Sequence, residues 1–244
     1  MEKAKEYSNF LIDLINRFTR SQEDGLKNAA KTIVRSFADG GMFYIFGTGH
    51  SHMIAEEFFY RAGGLARIYP ILDEGLMLHN GARKSTEIER LPGYAEALLS
   101  HYPIKKGDVL LIVSNSGRNA VPVEMAICAK EKGMAVIGLT SLEHSRQVEA
   151  RHSLGKKLYE LCDIVIDNCG VCGDAAIEID GAGSMGASSS VIGCIAAQLL
   201  GIITVEEMKK QGMQPELYSS ANTDEGEAHN EAILRKYEEI IKPL

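Results

Sequence analysis

Five short, almost wholly apolar runs alternate with longer amphipathic patterns along this chain, and the alternation restricts the folds available to it. The runs are Met42–Phe46, Arg67–Leu72, Val109–Val113, Ala135–Leu139 and Ile164–Ile166. A strand that has no polar face is covered on both sides, which is typical of a parallel sheet between two layers of helices. We therefore predict an α/β protein with three layers, α/β/α, built on a five-stranded parallel sheet in the order 2-1-3-4-5.

Helical periodicity occupies the intervals between and around these strands. Two helices are predicted within residues 1–40, and the others at Met53–Ala62, Tyr94–Ser100, Ala120–Lys132, Gln147–Leu161, Met185–Leu200, Thr204–Gln211 and Glu227–Ile241. Thr204 and Glu207 fit a capping box, and Gly212 is a suitable stop signal. No repeat or linker is evident. We predict one domain over residues 1–244, with a core at 42–200 and helical extensions at 1–40 and 204–244.

Composition and charge exclude several classes of function. The net charge is -7, so the chain lacks the basic surface of a nucleic-acid-binding protein. Its longest apolar stretch, Val191–Ile203, is interrupted by Gln198 and is shorter than the roughly 20 residues that span a bilayer. The first residues carry no apolar signal region. We therefore expect a cytoplasmic protein that has no nucleic-acid partner and no membrane partner.

The five cysteines are an odd number, which argues against a disulfide framework. Cys169 and Cys172 have C-x-x-C spacing, but no second pair completes a zinc site. The pair also follows an apolar strand instead of opening a helix, as a thioredoxin-like redox motif would. We interpret the two residues as small side chains at the exit of a strand.

Two of the predicted strands lead into small-residue loops that precede helices, an arrangement suited to an anion. The first strand is followed by Gly47–His52 and the third by Ser114–Asn119. Glycines permit close approach of the backbone, and the unpaired N–H groups of a first helical turn favour negative charge. In the order 2-1-3-4-5 both loops flank one crevice, where the fourth strand adds two hydroxyls. A serine-rich helix cap without a ligand is the alternative explanation of either loop. The candidate binding residues are Gly49, His50, Ser51, His52, Ser114, Asn115, Ser116, Gly117, Arg118, Asn119, Thr140 and Ser141.

The second loop resembles the phosphosugar loop of the sugar isomerase (SIS) domain, S-x-S-G-x-[ST], and departs from it at Asn119. The resemblance covers about residues 42–200. The whole chain is similar to a little-characterised group of SIS proteins, some of them named as phosphoheptose isomerases. The resemblance implies a flavodoxin-like sheet, a phosphorylated sugar as ligand, and a homodimer or tetramer with active sites between subunits.

Conversion between an aldose and a ketose needs a base that removes the proton next to a carbonyl, and an acid that protonates the oxygens. In SIS isomerases and the related muramic acid phosphate etherases, the base is a glutamate just after the second strand. The resemblance therefore implies that Glu74 is the base, with Asp73 as the alternative. Without a catalytic role, Glu74 would be an exposed acid in a turn.

Two further catalytic roles follow from the resemblance. Etherases place a second glutamate in a region comparable to the polar stretch 79–89, so Glu87 or Glu89 is a candidate acid in a lid near the crevice. The alternative is an exposed loop. In several SIS isomerases a histidine from the neighbouring subunit assists ring opening. His229, predicted on the apolar face of the last helix, is the candidate for that role, and a core histidine is the alternative.

The zinc pattern of phosphoheptose isomerases is incomplete in this chain. They carry a His and a Glu one turn apart after the first loop, and a Gln and a His on a late helix. Here Glu57, Arg61 and Gln198 lie at about these positions, and the late helix has no histidine. We therefore expect no catalytic metal and no cofactor.

The sequence favours a sugar-phosphate isomerase that acts through an enediol. An etherase-like lyase on an amino-sugar phosphate and a non-catalytic sugar-phosphate-sensing module stay open. A nucleotide-binding fold is disfavoured, because the chain has no phosphate-binding G-x-x-x-x-G-K-[ST] motif and the first loop lacks the third glycine of a dinucleotide site.

Overall fold

A computed structural model describes all 244 residues. The chain starts with two helices, α1 (Glu2–Ser21) and α2 (Glu23–Ala38). In chain order the other elements are β1 (Phe43–Gly47), α3 (Met53–Phe58), β2 (Ile68–Ile71), α4 (Ala82–Ile88), α5 (Tyr94–Leu99), β3 (Val109–Val113), α6 (Ala120–Glu131), β4 (Ala135–Thr140), α7 (Leu142–Gln147), β5 (Ile164–Asp167), β6 (Ala175–Ile179), β7 (Gly183–Ala187), α8 (Ser189–Lys210) and α9 (Asp224–Tyr237).

The five apolar runs form one parallel sheet in the order β2-β1-β3-β4-β5, which confirms the predicted topology. In the register of the central strands, Phe46 of β1 lies between Ile71 of β2 and Ile112 of β3. Every residue of β1, β2 and β3 is buried. The strands therefore have no polar face because helices cover both sides of the sheet.

Two apolar cores separate the layers of the fold. On one face α1, α2, α3 and α8 pack against the sheet. On the other face α5, α6 and α9 do so, and there the rings of Tyr44 and Tyr69 are stacked with centroids 5.0 Å apart. The predicted three-layer α/β/α architecture is thus present.

The last third of the chain differs from the predicted series of helices. Met185 lies in an antiparallel hairpin of β6 and β7, where Gly181, Gly183 and Gly186 have positive φ and shape the turn and strand. The helix begins only at Ser189, and it continues without a break through Thr204. The Thr204 hydroxyl donates to the carbonyl of Leu200, so no capping box exists at that point.

Two other predicted helices are wrong in extent. In the segment predicted as a helix at Gln147–Leu161, only the first residue is α-helical. Backbone N–H groups of this segment bond instead to the loop after β3. The N–H of Arg151 donates to the Arg118 carbonyl at 2.9 Å, and that of Leu158 to the Gly117 carbonyl at 2.8 Å. The helix predicted at Met53–Ala62 ends at Phe58.

The long helix α8 is the one element with the length and apolar composition of a membrane span. In this fold it packs against α2 and α3 as a core helix. Ile192, Ala196 and Leu200 are buried in that packing, whereas Ile202 is 55% exposed. One side of α8 thus belongs to the core of this domain.

Candidate functional site

The loop after β1 turns sharply from the strand into a 3₁₀ turn at Gly49–His52 and then into α3. A Cβ on Gly47 would lie 2.4 Å from the Ser51 carbonyl oxygen, so this position admits only glycine. Gly49 has a φ of +56°, which is likewise suited to glycine. The ring of His52 is buried and its Nδ1 bonds to the Gly49 carbonyl, whereas His50 is exposed at the sheet edge.

The loop after β3 is held in a tight turn by its own side chains. The Gly117 N–H donates to Ser114 Oγ at 3.2 Å, and Gly117 has a φ of +57°. The Asn115 side-chain oxygen accepts from the amide of Asn168, which follows β5, at 2.9 Å. These contacts fix the backbone of the predicted phosphate loop beside the neighbouring strand ends.

The loop after β3 is also held by two residues at the end of β4, Thr140 and Ser141. Both residues are fully buried. The Thr140 hydroxyl donates to the Asn115 carbonyl at 3.1 Å, and the Ser141 hydroxyl donates to the Gly170 carbonyl at 2.7 Å. The structure therefore places these two predicted binding residues in the scaffold, because their hydroxyls are occupied within the protein.

A small cleft opens between the loops at the carboxyl edge of the sheet. It is lined by polar side chains from four segments, among them His50, Ser51, Asn115, Asn168 and Ser190. Ser51 and Ser190 line this cleft, and Ser116 adjoins Asn115 in the loop after β3. The two predicted loops are thus brought together, with serine hydroxyls at the cleft.

Asn168 and Ser190 are site residues that the sequence analysis missed. Ser190 stands in the first turn of α8, which is capped by Asp174 through bonds from Ser188 and Ser189. Three consecutive serines before an apolar helix are an N-cap signal that could have located the start of the helix. Asn168 directly follows the fifth strand, where the rule that ligands bind at carboxyl ends of strands applies.

Glu89 joins the two loops. Its carboxylate accepts from the Thr48 hydroxyl at 2.7 Å and from the Asn119 side-chain amide at 2.8 Å. Thr48 follows β1, and Asn119 caps α6 after β3. The structure thus brings this predicted residue to the cleft, where both of its oxygens act as acceptors.

Glu74 and Asp73 follow β2 at the same edge of the sheet but have different surroundings. Asp73 accepts from the Tyr94 hydroxyl at 2.8 Å and from the Leu76 N–H at 3.1 Å, so its carboxylate holds the turn together. Burial, with help from that bond to Asp73, raises the pKa of Tyr94 to about 12. Glu74 is exposed, and its only hydrogen bond is with the Asn80 amide at 3.2 Å. Of the two carboxylates, that of Glu74 is the more exposed and takes no part in holding the turn.

The polar stretch 79–89 forms a 3₁₀ turn at Leu78–Asn80 followed by α4. Leu78 Cδ2 would lie 3.9 Å from a Cβ on Gly49, so this turn lies over the first loop. Glu87 points to solvent and pairs with Arg83 one turn away at 3.1 Å. The stretch is therefore partly helical, and only Glu89 of its two candidate glutamates contacts the cleft loops.

His229 lies far from these loops in the same subunit. Its Nε2 contacts the Leu217 carbonyl at 2.9 Å, and Leu217 bridges to Leu65 ahead of β2, at the amino end of the strands. The prediction that His229 shares the apolar face of α9 is wrong. The buried positions are Asn230, Ile233 and Tyr237, at i, i+3 and i+7, and His229 is exposed.

The three positions compared with the zinc pattern do come together. Gln198 Nε2 donates to one carboxylate oxygen of Glu57 at 2.7 Å, and Arg61 donates to the other at 2.8 Å. The Glu57 carboxylate, which a metal would need as a ligand, is therefore already paired with the Arg61 guanidinium. The structure contains no group of three or more His, Cys, Asp or Glu side chains arranged to hold a metal ion.

Cys169 and Cys172 belong to the loop that follows β5. Cys169 is partly buried, and burial raises the pKa of its thiol above the ordinary value. Cys172 is exposed, and no disulfide joins the two residues. A raised thiol pKa lowers the fraction of reactive thiolate, which agrees with a structural role for Cys169.

Comparison with known proteins identifies relatives of this chain. A family model described as the SIS domain matches residues 6–141. The UPF0309 protein BH3325 of Halalkalibacterium halodurans is 42% identical over 233 residues, which are 95% of this chain and 96% of that protein.

Two solved structures share the fold at low sequence identity. A phosphoheptose isomerase from Francisella tularensis has a TM-score of 0.57 at 17% identity, covering 84% of this chain and 97% of that one. The sugar isomerase domain of the RpiR transcription factor from Sphaerobacter thermophilus has a TM-score of 0.51 at 14% identity, covering 98% and 99%. The chain therefore shares its α/β fold with both an isomerase and a regulatory domain.

Proposed function

Because the chain belongs to the SIS-domain family, we propose that it binds a phosphorylated sugar in the cleft and interconverts its aldose and ketose forms. The observation that carries this proposal is the cleft between two glycine-turned loops, which Ser51 and Ser190 line and beside which Ser116 lies. Neutral donors and backbone N–H groups at helix starts are the groups that hold a phosphoryl dianion in an acidic protein. The Francisella tularensis protein that shares this fold is a phosphoheptose isomerase, which is consistent with this substrate class.

In the proposed reaction Glu74 is the base. Its carboxylate takes the proton from the carbon next to the carbonyl, which gives an enediolate. The hydroxyl proton then passes from one substrate oxygen to the other through the enediol, and the protonated Glu74 returns its proton to the neighbouring carbon. Glu74 suits this role because it is exposed at the edge beside the first loop, whereas Asp73 is occupied by Tyr94 and Leu76. Glu89 accepts two hydrogen bonds through its carboxylate, so we assign it to positioning the loops instead of donating a proton.

Proton NMR in deuterated water tests the proposal. The protein is incubated with pooled hexose, hexosamine, heptose and muramic phosphates, and the signal of the proton at C2 is followed. We expect one component to lose this signal and Glu74→Gln to abolish the loss without loss of affinity. The matched control is Glu87→Gln, on the solvent side of α4, which should exchange at the wild-type rate. Exchange that persists in Glu74→Gln would remove Glu74 from the mechanism.

The same experiment separates the two alternatives. A lyase would also exchange the proton but would release a substituent from C3, which gives new product signals. A sensing module would produce no exchange, while a thermal-shift screen of the same pool would still detect binding. The Sphaerobacter thermophilus domain shows that this fold occurs in a transcription factor.

We further propose that the protein is a cytoplasmic homo-oligomer, a dimer or tetramer, in which His229 of one subunit assists ring opening in another. The resemblance to SIS proteins, which form dimers or tetramers with active sites between subunits, supports this proposal. Multi-angle light scattering checks the mass, and a monomeric mass would contradict this proposal.

A further inference from the structure

Three arginines from three separate segments lie around Asn119, and one of them, Arg151, bonds to its side chain. Arg118 precedes it in the loop. Arg151 donates from Nη1 to the Asn119 side-chain oxygen at 2.9 Å, and its N–H donates to the Arg118 carbonyl at 2.9 Å. Arg90 follows Glu89, whose carbonyl accepts from the N–H of Val121 in the first turn of α6 at 3.0 Å.

The charge of this arginine cluster (Arg90, Arg118 and Arg151) is only partly balanced by the protein, through the carboxylate of Glu89. None of the three forms a salt bridge, although the chain is acidic overall with a net charge of -7. Glu89 is the nearby carboxylate, and Thr48 and Asn119 occupy its two oxygens. The Nε of Arg118 is buried without a hydrogen-bond partner. Desolvation, followed by the charges of Arg118 and Arg90, lowers the pKa of Arg151, and the charge of Glu89 opposes this shift.

The buried Nε of Arg118 lacks a hydrogen-bond partner, and an anionic ligand bound at the cluster would supply one. In the proposed function the phosphoryl group has its own donors in the serine hydroxyls beside the loop after β3. A guanidinium presents a planar fork of donors that fits a carboxylate or a phosphoryl group. A phosphoryl group that is already bound by the serine loop does not need the donors of three guanidinium groups.

We propose that the ligand of this site is a doubly anionic sugar phosphate, whose second anionic group is bound by Arg90, Arg118 and Arg151. This inference rests on the proposed function and narrows its substrate class. The second group is a carboxylate or a second phosphoryl group, since both present the oxygens that an arginine fork binds.

Isothermal titration calorimetry with two matched pairs of ligands tests the inference. One pair is glucose 6-phosphate and 6-phosphogluconate, which differ by a carboxylate. The other is fructose 6-phosphate and fructose 1,6-bisphosphate, which differ by a phosphoryl group. We expect the doubly anionic member of at least one pair to bind at least about tenfold more tightly, as one charge-assisted contact provides. The preferred pair identifies the second group.

Substitutions then locate the preference. Arg151→Ala should reduce the affinity ratio within the preferred pair to about one, and Arg151→Lys should give an intermediate ratio because it keeps the charge and loses the fork. Arg83→Ala is the matched control, because it removes the same charge from the nearby helix α4 and leaves the cluster intact. If Arg151→Ala does not fold, as judged by circular dichroism, the exposed Arg90→Ala replaces it.

Equal affinities within both pairs would overturn the inference, and so would a preference that survives these arginine substitutions. Equal loss of affinity for both members of a pair would assign the arginines to the single phosphoryl group and would also overturn it. The proposed function has a separate readout. If the monophosphates bind and Ser116→Ala weakens that binding, the proposed function is supported whatever the affinity ratio within the pairs. If none of the four ligands binds, the result counts against both the proposed function and this inference.

Discussion

The Glu89 carboxylate offers the sharpest test of how the cleft is held together. Glu89→Ala removes hydrogen bonds to Thr48 at 2.7 Å and to Asn119 at 2.8 Å, which tie the loops after β1 and β3. A hydrogen bond to a charged group contributes about 1.5–3 kcal/mol when it is buried, and partial exposure of Glu89 reduces that value. We therefore expect the free energy of unfolding to fall by about 2–3 kcal/mol.

A loss of that size corresponds to a decrease in Tm of about 5–10 °C for a domain of this length. Differential scanning calorimetry measures it. Glu89→Gln should cost about 1 kcal/mol, since its amide can donate to the Thr48 oxygen and accept from Asn119. Glu87→Ala is the control on the same helix, where the exposed pair with Arg83 contributes less than about 0.5 kcal/mol.

The double variant of Glu89→Ala and Asn119→Ala should be less destabilised than the sum of its parts, because the two changes remove one shared bond. The reasoning would be refuted if Glu89→Ala melted within about 1 °C of Glu87→Ala. In that case the contacts of Glu89 would contribute no more than an ordinary surface pair.

Two further outcomes test the loop geometry and its electrostatics. Gly117→Ala should lower the free energy of unfolding in urea by about 2–3 kcal/mol, because a Cβ in the left-handed region also meets Leu158 Cβ at 2.9 Å. Gly155→Ala, with φ +63° and no neighbour within 4 Å, should cost only about 1 kcal/mol, and equal losses would contradict the steric argument. Burial, opposed by Asp174 and reinforced by the Arg118 charge, lowers the pKa of His144. His144 therefore becomes protonated near pH 6.5 in the unfolded chain but only at lower pH in the folded chain. The free energy of unfolding of the wild type should fall as the pH drops below about 6.5, by less than about 1.4 kcal/mol per pH unit. His144→Asn should flatten this dependence in urea titrations at pH 7.5 and 5.5, and an unchanged slope would contradict it.

The sheet could be predicted because its signal is local. Each of the five strands is a short apolar run, and strands that alternate with helices leave few possible topologies. The helix predicted at Gln147–Leu161 was wrong for a non-local reason. Its polar residues satisfied a helical pattern, yet Arg151 and Leu158 bond to the loop after β3 instead.

The cleft was predictable in outline and not in its details. Ser51 and Ser116 were found because each loop has its own pattern of small residues. The positioning role of Glu89 depends on contacts with Thr48 and Asn119, which lie 41 and 30 residues away, and no spacing rule reveals them. The proximity of the three arginines could not be predicted for the same reason, because it depends on how segments distant in the sequence pack together.

The parallel sheet also has a consequence for folding kinetics. Phe43 pairs with Ile68 on one side and with Val109 on the other, and no two strands of this sheet are joined by a hairpin. Each pairing must therefore close a long loop before its contacts stabilise it, which is typical of slow folding. The cleft takes residues from after β1, β3 and β5 and from the start of α8, so it exists only once the whole sheet has assembled. Recovery of phosphate binding after dilution from denaturant would then be a late event, and it would report the arrival of the complete native topology.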